Sequence, residues 1–502
     1  LTQVSATRGI GRFDLLSLPV VGAFVRWRYA RFALQLPLAM LAALAVYDGF
    51  TGRQIAPLNT ATVSVWVHYR GLVALAIALV GNLFCAACPL MLTRGATKAL
   101  KRVLPEFGVP KALRNKYLVL GLTLVFLYSY EHFDLWASPW LTAWLILGYF
   151  VAALLTDALF PVGTFCKYVC PLGNFNFALA TSAPTQITAK NQGVCETCEG
   201  KYCLTGRVET ATTRAPITGH RSEHVLIELP MVSAPSSVGG SSSNAASRPT
   251  SRPGAFPGCE TDLFVPAIHS NTDCTLCFNC VRACPYDNVA LTTRAPTLEA
   301  ATVRPTTPWA WFIAVLAWAG LVNAFAMIPP FFATAAWLSG ALGTRDEGLL
   351  LFIIQAVGIG VPVALTWFAT RGRLRDWVGV LMPLSIAAWG GHYLFHFVTG
   401  YNTLVPNMVG ALVRMGIPLE VPPFPGVVRS DAIFPVQAVI SYAALFMSLW
   451  VAYRRAKTLH PRANARDLAV AMLPMVVVAI LFNALTLLIF AQPMQARGSL
   501  LQ

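Results

Sequence analysis

The chain has 502 residues, 56% of them hydrophobic and 12% charged, and its mean hydropathy is +0.59. That balance excludes an ordinary soluble domain and points to a polytopic membrane protein. The formal net charge of +15 falls in alternate loops between apolar stretches, which marks topology rather than a nucleic-acid footprint, so no nucleic-acid partner is expected.

A basic N-terminal arm, 1–31, carries Arg8, Arg12, Arg26, Arg28 and Arg31. No small-residue cleavage site follows it, so no cleaved leader is expected. Apolar stretches near 32–49, 66–88, 117–133 and 140–160 are long enough to span a bilayer, which takes about 20 residues per helix. They form a predicted four-helix membrane domain over 32–173. Cys85-Ala-Ala-Cys88-Pro89 ends the second stretch, and Cys166-Lys-Tyr-Val-Cys170-Pro171 follows the fourth. Four thiols at neighbouring helix ends can hold a further iron–sulfur cluster or form a redox-active dithiol pair. They can also be small buried residues. A proline follows the second cysteine of each pair, as it does again at Cys284-Pro285, which argues against coincidence.

Residues 174–300 read as a cytoplasmic domain rich in cysteine. The run Cys274-Thr-Leu-Cys277-Phe-Asn-Cys280-Val-Arg-Ala-Cys284-Pro285 has the C-x2-C-x2-C-x3-C-P spacing of bacterial [4Fe–4S] ferredoxins. In two-cluster ferredoxins the fourth cysteine of one run ligates the other cluster. The assignment is therefore Cys195, Cys198, Cys203 and Cys284 for one cubane, and Cys259, Cys274, Cys277 and Cys280 for the other. Zinc or disulfides are the alternatives; zinc prefers separated pairs, and a cytoplasmic site is reducing. An insertion at about 207–257 includes the Ser/Pro/Gly-rich stretch 232–257, too poor in large apolar residues for a packed core and expected to be a flexible excursion. Its His220 and His224 read as solvated loop residues.

Five more apolar stretches, near 309–332, 349–369, 377–398, 433–453 and 469–491, form a predicted five-helix membrane domain within 301–502. The basic loops at 94–116, 371–375 and 454–466 place the N-terminus and the cysteine-rich domain in the cytoplasm and the C-terminus outside, as in a multi-pass protein of a bacterial inner membrane. Toward the outer face lie His68, followed by Arg70, then His132, and the pair His392 and His396 on one helix face. Ionisable groups at membrane depth are costly and usually functional. The histidines suit a b-type haem held by His68 and either His392 or His396 with Arg70 at a propionate, a quinol site in which a histidine takes the proton, or copper handling with Met408 and Met415. They also suit plain interhelical hydrogen bonding. Asp157 can tune the nearby cysteines or reach the interface, while Asn323, Gln355 and Asn483 read as interhelical hydrogen-bonding residues. The sequence shows no P-loop, dinucleotide fingerprint, c-type haem motif or catalytic serine constellation, so NAD or flavin chemistry would belong to a partner.

The segments FCAACPL (84–90), FCKYVCPLG (165–173), CETCEGKYC (195–203), GCE (258–260) and CTLCFNCVRACP (274–285) carry a likeness that covers roughly residues 60–295. In them the chain resembles the NosR/NapH-type membrane polyferredoxins, a group with accessory proteins of nitrous oxide reduction, the membrane partner of periplasmic nitrate reductase, and a cytochrome-oxidase assembly protein. The resemblance implies electron exchange between the quinone pool or a cytoplasmic reductant and a periplasmic metalloenzyme, or service to that enzyme's metal-centre maturation. The chain departs from the family in lacking a large periplasmic flavin-binding domain, in a first pair spaced C-x2-C rather than C-x3-C, and in extra helices after the cysteine-rich domain. The expectation is a mainly α, polytopic membrane protein of about nine transmembrane helices with an inserted cytoplasmic two-cluster ferredoxin-like domain. It would pass electrons between an outer-face haem or quinol site and cytoplasmic [4Fe–4S] clusters, alongside other redox subunits. The alternative is an accessory protein for maturation or reductive activation of a periplasmic metalloenzyme.

Overall fold

The computed structural model describes residues 13–208, 255–423, 432–494 and 500. The expected excursion at 207–257, with His220 and His224, lies outside the described residues except at its two ends, and so do Arg8 and Arg12. The chain is mainly helical. Among the described residues, eight helices are long and apolar enough to cross a membrane: Ala30–Thr51, Thr60–Leu79, Pro139–Leu159, Thr307–Phe325, Glu347–Ala369, Leu374–Gly400, Ile433–Leu459 and Ala465–Phe490. The stretch expected at 117–133 forms the helix Tyr117–His132, of 16 residues, or about 24 Å at 1.5 Å per residue.

In chain order the elements used below are α1 (Pro19–Arg26), α2 (Ala30–Thr51), α3 (Thr60–Leu79), α4 (Leu83–Ala87), α5 (Arg94–Leu100), α6 (Tyr117–His132), α7 (Pro139–Leu159), α8 (Pro171–Ala180), α9 (Asn279–Ala283), α10 (Thr307–Phe325), α11 (Pro329–Leu342), α12 (Glu347–Ala369), α13 (Leu374–Gly400), α14 (Leu404–Arg414), α15 (Ile433–Leu459) and α16 (Ala465–Phe490). Their starts follow ordinary capping chemistry. Ser138 accepts the Leu141 N–H at 3.2 Å ahead of Pro139, Asp346 accepts that of Leu349 at 3.0 Å, and Asn464 accepts that of Asp467 at 2.9 Å.

Two expected spans have different bounds. The second, expected at 66–88, is α3; it ends before Gly81, whose φ of +117° no helix continues. Cys85 and Cys88 therefore sit on and just after the separate short helix α4. The fifth, expected at 309–332, divides into α10 and α11 because Pro329 forces the preceding Ile328 into extended backbone.

At the centre of the bundle, 83% of the apolar window of α10 and 78% of that of α13 are buried, against 17% for the peripheral α2. The two central helices meet where Gly320 faces the Trp389 ring; a Cβ there would lie 2.8 Å from its Nε1. That indole donates to the Leu316 carbonyl at 2.9 Å.

The cysteine-rich part is small. Strand β1 (Thr185–Ala189) pairs antiparallel with β4 (Val289–Thr293), and β2 (Arg207–Val208) pairs with β3 (Ala255–Phe256). Its core holds Ile187, Val265, Leu276, Val281, Val289 and Leu291, together with Leu16 and Val25 from the N-terminal arm. Asp14 accepts the Leu291 N–H at 3.0 Å, so residues 13–26 of the arm are part of this unit. Buried polar contacts fasten it to the bundle. Asn271 Nδ2 donates to the carbonyls of Ala180 at 2.8 Å and Thr185 at 2.9 Å. Lys116 Nζ reaches Asp273 at 2.5 Å and Asn174 at 2.8 Å.

Candidate metal centres

All 12 cysteines are free thiols, and the fold gathers them as three groups of four. Cys195, Cys198, Cys203 and Cys284 line one small cavity with Tyr202, Phe264 and Tyr286. Burial, together with Cys284 and Cys198, raises the pKa of Cys195, while the Asn288 amide, donating to its sulfur at 3.1 Å, opposes the rise. Burial pushes Cys203 up to about 11, with Cys284, Cys195 and Cys198 adding to it.

The second group lies on the loop before α9 and on the strand exit at Cys259. Two non-glycine residues of this loop, Leu276 (φ 46°) and Phe278 (φ 56°), are left-handed, so the chain turns sharply between Cys274 and Cys280. Burial pushes Cys274 up to about 12, with Cys277, Cys259 and Cys85 contributing. Cys280 is raised by burial and by Cys277, Cys274, Cys259 and, across the gap to the first group, Cys203.

The third group comprises Cys85, Cys88, Cys166 and Cys170. Each of the two C-P turns starts the following segment: Pro89 opens a 3₁₀ turn and Pro171 opens α8. Gly173 N–H donates to the Cys170 sulfur at 3.2 Å, and Cys166 meets the Met91 sulfur at 3.8 Å. All four cysteines border a cavity of about 490 Å³ that runs between the helices, with Tyr69, Tyr149, Trp389 and Tyr393 in its walls and His68, Arg70 and Asn323 toward the other end. Among the described residues, no three His, Cys, Asp or Glu side chains converge on one ion-sized point.

His392 and His396 lie beside one another within the field of Arg70, and His68 packs on Phe397 of the same helix at 5.8 Å. His68 sits in the π-helical stretch Val63–Tyr69. Its Nδ1 lies 3.1 Å from the Val63 carbonyl and its Nε2 lies 2.9 Å from that of Tyr401. Both partners are carbonyls, and a neutral imidazole donates to one of them from its single N–H. His392 is 1% exposed, 4.8 Å from the ring of His396, and has no hydrogen-bond partner on either nitrogen; neither histidine is part of the cavity wall. Arg70 is caged by the rings of Trp66, Tyr130 and Tyr393 at 4.6, 4.5 and 5.0 Å and donates to the Tyr130 hydroxyl at 2.9 Å. His132 stacks on Tyr128 at 5.3 Å. Asn323 donates to Glu131 at 2.9 Å, as an interhelical hydrogen bond.

Sequence reasoning missed Glu260, Arg94 and Arg31 as site residues. Glu260 is buried against Arg31 and Arg94, both of which read in the sequence as topology charges. The only available signal was that Glu260 directly follows Cys259.

No protein-family model, curated protein or solved structure matches this chain.

Proposed function

We propose that this protein transfers electrons in a membrane and that its three cysteine quartets hold iron–sulfur clusters in a line. The observation that carries the reading is the linkage between the groups. The Cys259 N–H donates to the Cys203 carbonyl at 3.0 Å, joining the second group to the first, and Asn82, three residues before Cys85, donates to the Cys274 carbonyl at 3.2 Å, joining it to the third, so no quartet stands apart. An iron–sulfur cluster, when bound, takes up and releases one electron at a time.

The residues suit that cargo. A single zinc ion would draw four sulfurs to about 2.3 Å from one point, whereas each thiolate of a multi-iron cluster binds its own iron. These sulfurs gather without such convergence. Main-chain N–H groups aim at three of them: Leu263 at Cys259, 3.3 Å; Asn288 at Cys284, 3.4 Å; and Gly173 at Cys170, 3.2 Å. Such donors stabilise negative charge on sulfur and raise a cluster's potential. Because burial holds Cys203 and Cys274 protonated at neutral pH in the metal-free protein, loading must release protons. The likeness of the motifs to the NosR/NapH-type polyferredoxins supports the same reading.

The cavity beside the third quartet favours a lipid-soluble quinol over haem as the exchange partner. At about 490 Å³ it lies within the usual range for small-molecule sites, and its walls are almost wholly apolar and aromatic. A quinol releases two electrons and two protons; Tyr69 and Asn176, which line the cavity by Cys85, are the polar groups placed to orient it. The alternating basic loops support a cytoplasmic position for the cysteine-rich domain.

Electron paramagnetic resonance on Cys88→Ser and Cys170→Ser tests the proposal. Each variant is expected to lose one centre and keep the other two. Retention of every centre and of full electron flux would make the third quartet structural.

A further inference from the structure

Glu260 is 5% exposed, and one of its carboxylate oxygens accepts from Arg31, from Arg94 and, at 3.1 Å, from Asn279 Nδ2. This bridge touches the supports of both neighbouring quartets. Glu260 follows Cys259, and Asn279 precedes Cys280. Arg31 Nε donates to the carbonyl of Ala86, between Cys85 and Cys88, at 3.4 Å. Arg94 opens α5 after the Cys88-Pro89 turn. The Glu260 main-chain carbonyl presses on Gly163, which has φ +92° and stands three residues before Cys166; no side chain would fit there.

The bridge carries more donors than Glu260 can satisfy. Arg31 Nη2, Arg94 Nε and Arg94 Nη2 are buried without a hydrogen-bond partner among the described residues. Asp157, which also acts on Arg94, is already held by the N–H groups of Gly163 and Phe165 at 3.3 Å each. Glu260 and Asp157 offset the charge of the two guanidiniums, but the donors left over still need acceptors, since a buried polar group without one is costly. Beside the cations Arg282 and Lys98, the groups in their field include Cys85 and Cys88 for Arg31, and Cys88, Cys166 and Cys277 for Arg94. Protonated thiols supply no negative charge; metal-bound thiolates do.

We propose that Arg31, Glu260 and Arg94 are positioning residues that form a fixed-charge bridge setting the reduction potentials of the centres at Cys259/Cys274/Cys277/Cys280 and at Cys85/Cys88/Cys166/Cys170. The proposal rests on the iron–sulfur reading above. Each arginine stabilises the reduced, more negative state of both centres, and Glu260 opposes it while holding the two guanidiniums between them.

The test is a redox titration followed by electron paramagnetic resonance on the full-length protein, with iron determined on each sample. Arg94→Gln is expected to shift both adjoining potentials downward and Glu260→Gln to shift both upward, with iron content unchanged. Arg94→Lys restores most of the wild-type value. The centre at Cys195, Cys198, Cys203 and Cys284 moves least, because the bridge's contacts run to the supports of the other two groups. Arg31→Gln repeats the downward shift if Arg94→Gln fails to accumulate. A purely structural salt bridge would not give opposite signs for the two charges, so unmoved potentials, or shifts of one sign, in iron-replete variants overturn the proposal alone. Absence of iron from the wild-type protein would overturn the iron–sulfur reading and the proposal with it.

Discussion

Cys280 and Cys284 are separated by one turn of α9, and the Cys284 N–H donates to the Cys280 carbonyl at 3.2 Å, yet the two thiols face different quartets. Cys284→Ser should therefore cost the iron of the Cys195 group, about four atoms per chain for a cubane, while Cys280→Ser costs that of the Cys259 group. Iron analysis with spectroscopy of each variant checks the division. The grouping of the cysteines was legible because their spacing is written along the chain. Their partners were not, because Arg31, Arg94 and Glu260 come together only through tertiary structure. Asn271 is another such residue. Its buried amide joins Ala180 at the end of α8 to Thr185 at the start of β1, and Asn271→Ala should cost about 1–3 kcal/mol by removing both buried hydrogen bonds. A lowered thermal midpoint with unchanged iron content would show it.

At the scale of elements, apolar length located the membrane helices, of which α7 and α10 have proline in their first turn. Hydropathy runs on through backbone breaks, which is why the second and fifth stretches had the wrong bounds. Gly81 ends α3 with a positive φ, and Pro329 restarts the chain as α11. The π-helical stretch Val63–Tyr69 was illegible for the same reason, and with it the fate of His68. Its Nδ1 faces the Val63 carbonyl five residues back, as expected where a wide turn frees main-chain groups. The contact of α10 with α13 is as tight as backbone permits at Gly320. Gly320→Val should destabilise the bundle by about 1–3 kcal/mol through overpacking against Trp389, read as a lower unfolding temperature in detergent.

At the scale of the whole molecule, the proposed function raises the question of how electrons would cross. A hydrocarbon core about 30 Å thick is too wide for a single efficient hop, so on that proposal a quartet between the helix ends and a cavity leading away from it would shorten the path. The number of crossings depends on α6. With its 16 residues it falls short of full thickness, and local thinning of the bilayer accommodates such a helix at modest cost. If α6 crosses, a reporter fused after Gln502 lies on the outer side, opposite the N-terminal arm; a C-terminal reporter found inside would leave eight crossings.

The most direct measurement is quantitative iron and sulfide analysis of the purified full-length protein, joined to a redox-titrated paramagnetic resonance spectrum. The account predicts three one-electron centres, with magnetic coupling between the Cys195 and Cys259 groups and between the Cys259 and Cys85 groups. Two coupled centres with no third would confine the wire to the cysteine-rich domain. A protein purified with zinc, or with no metal, under anaerobic conditions would contradict the account outright.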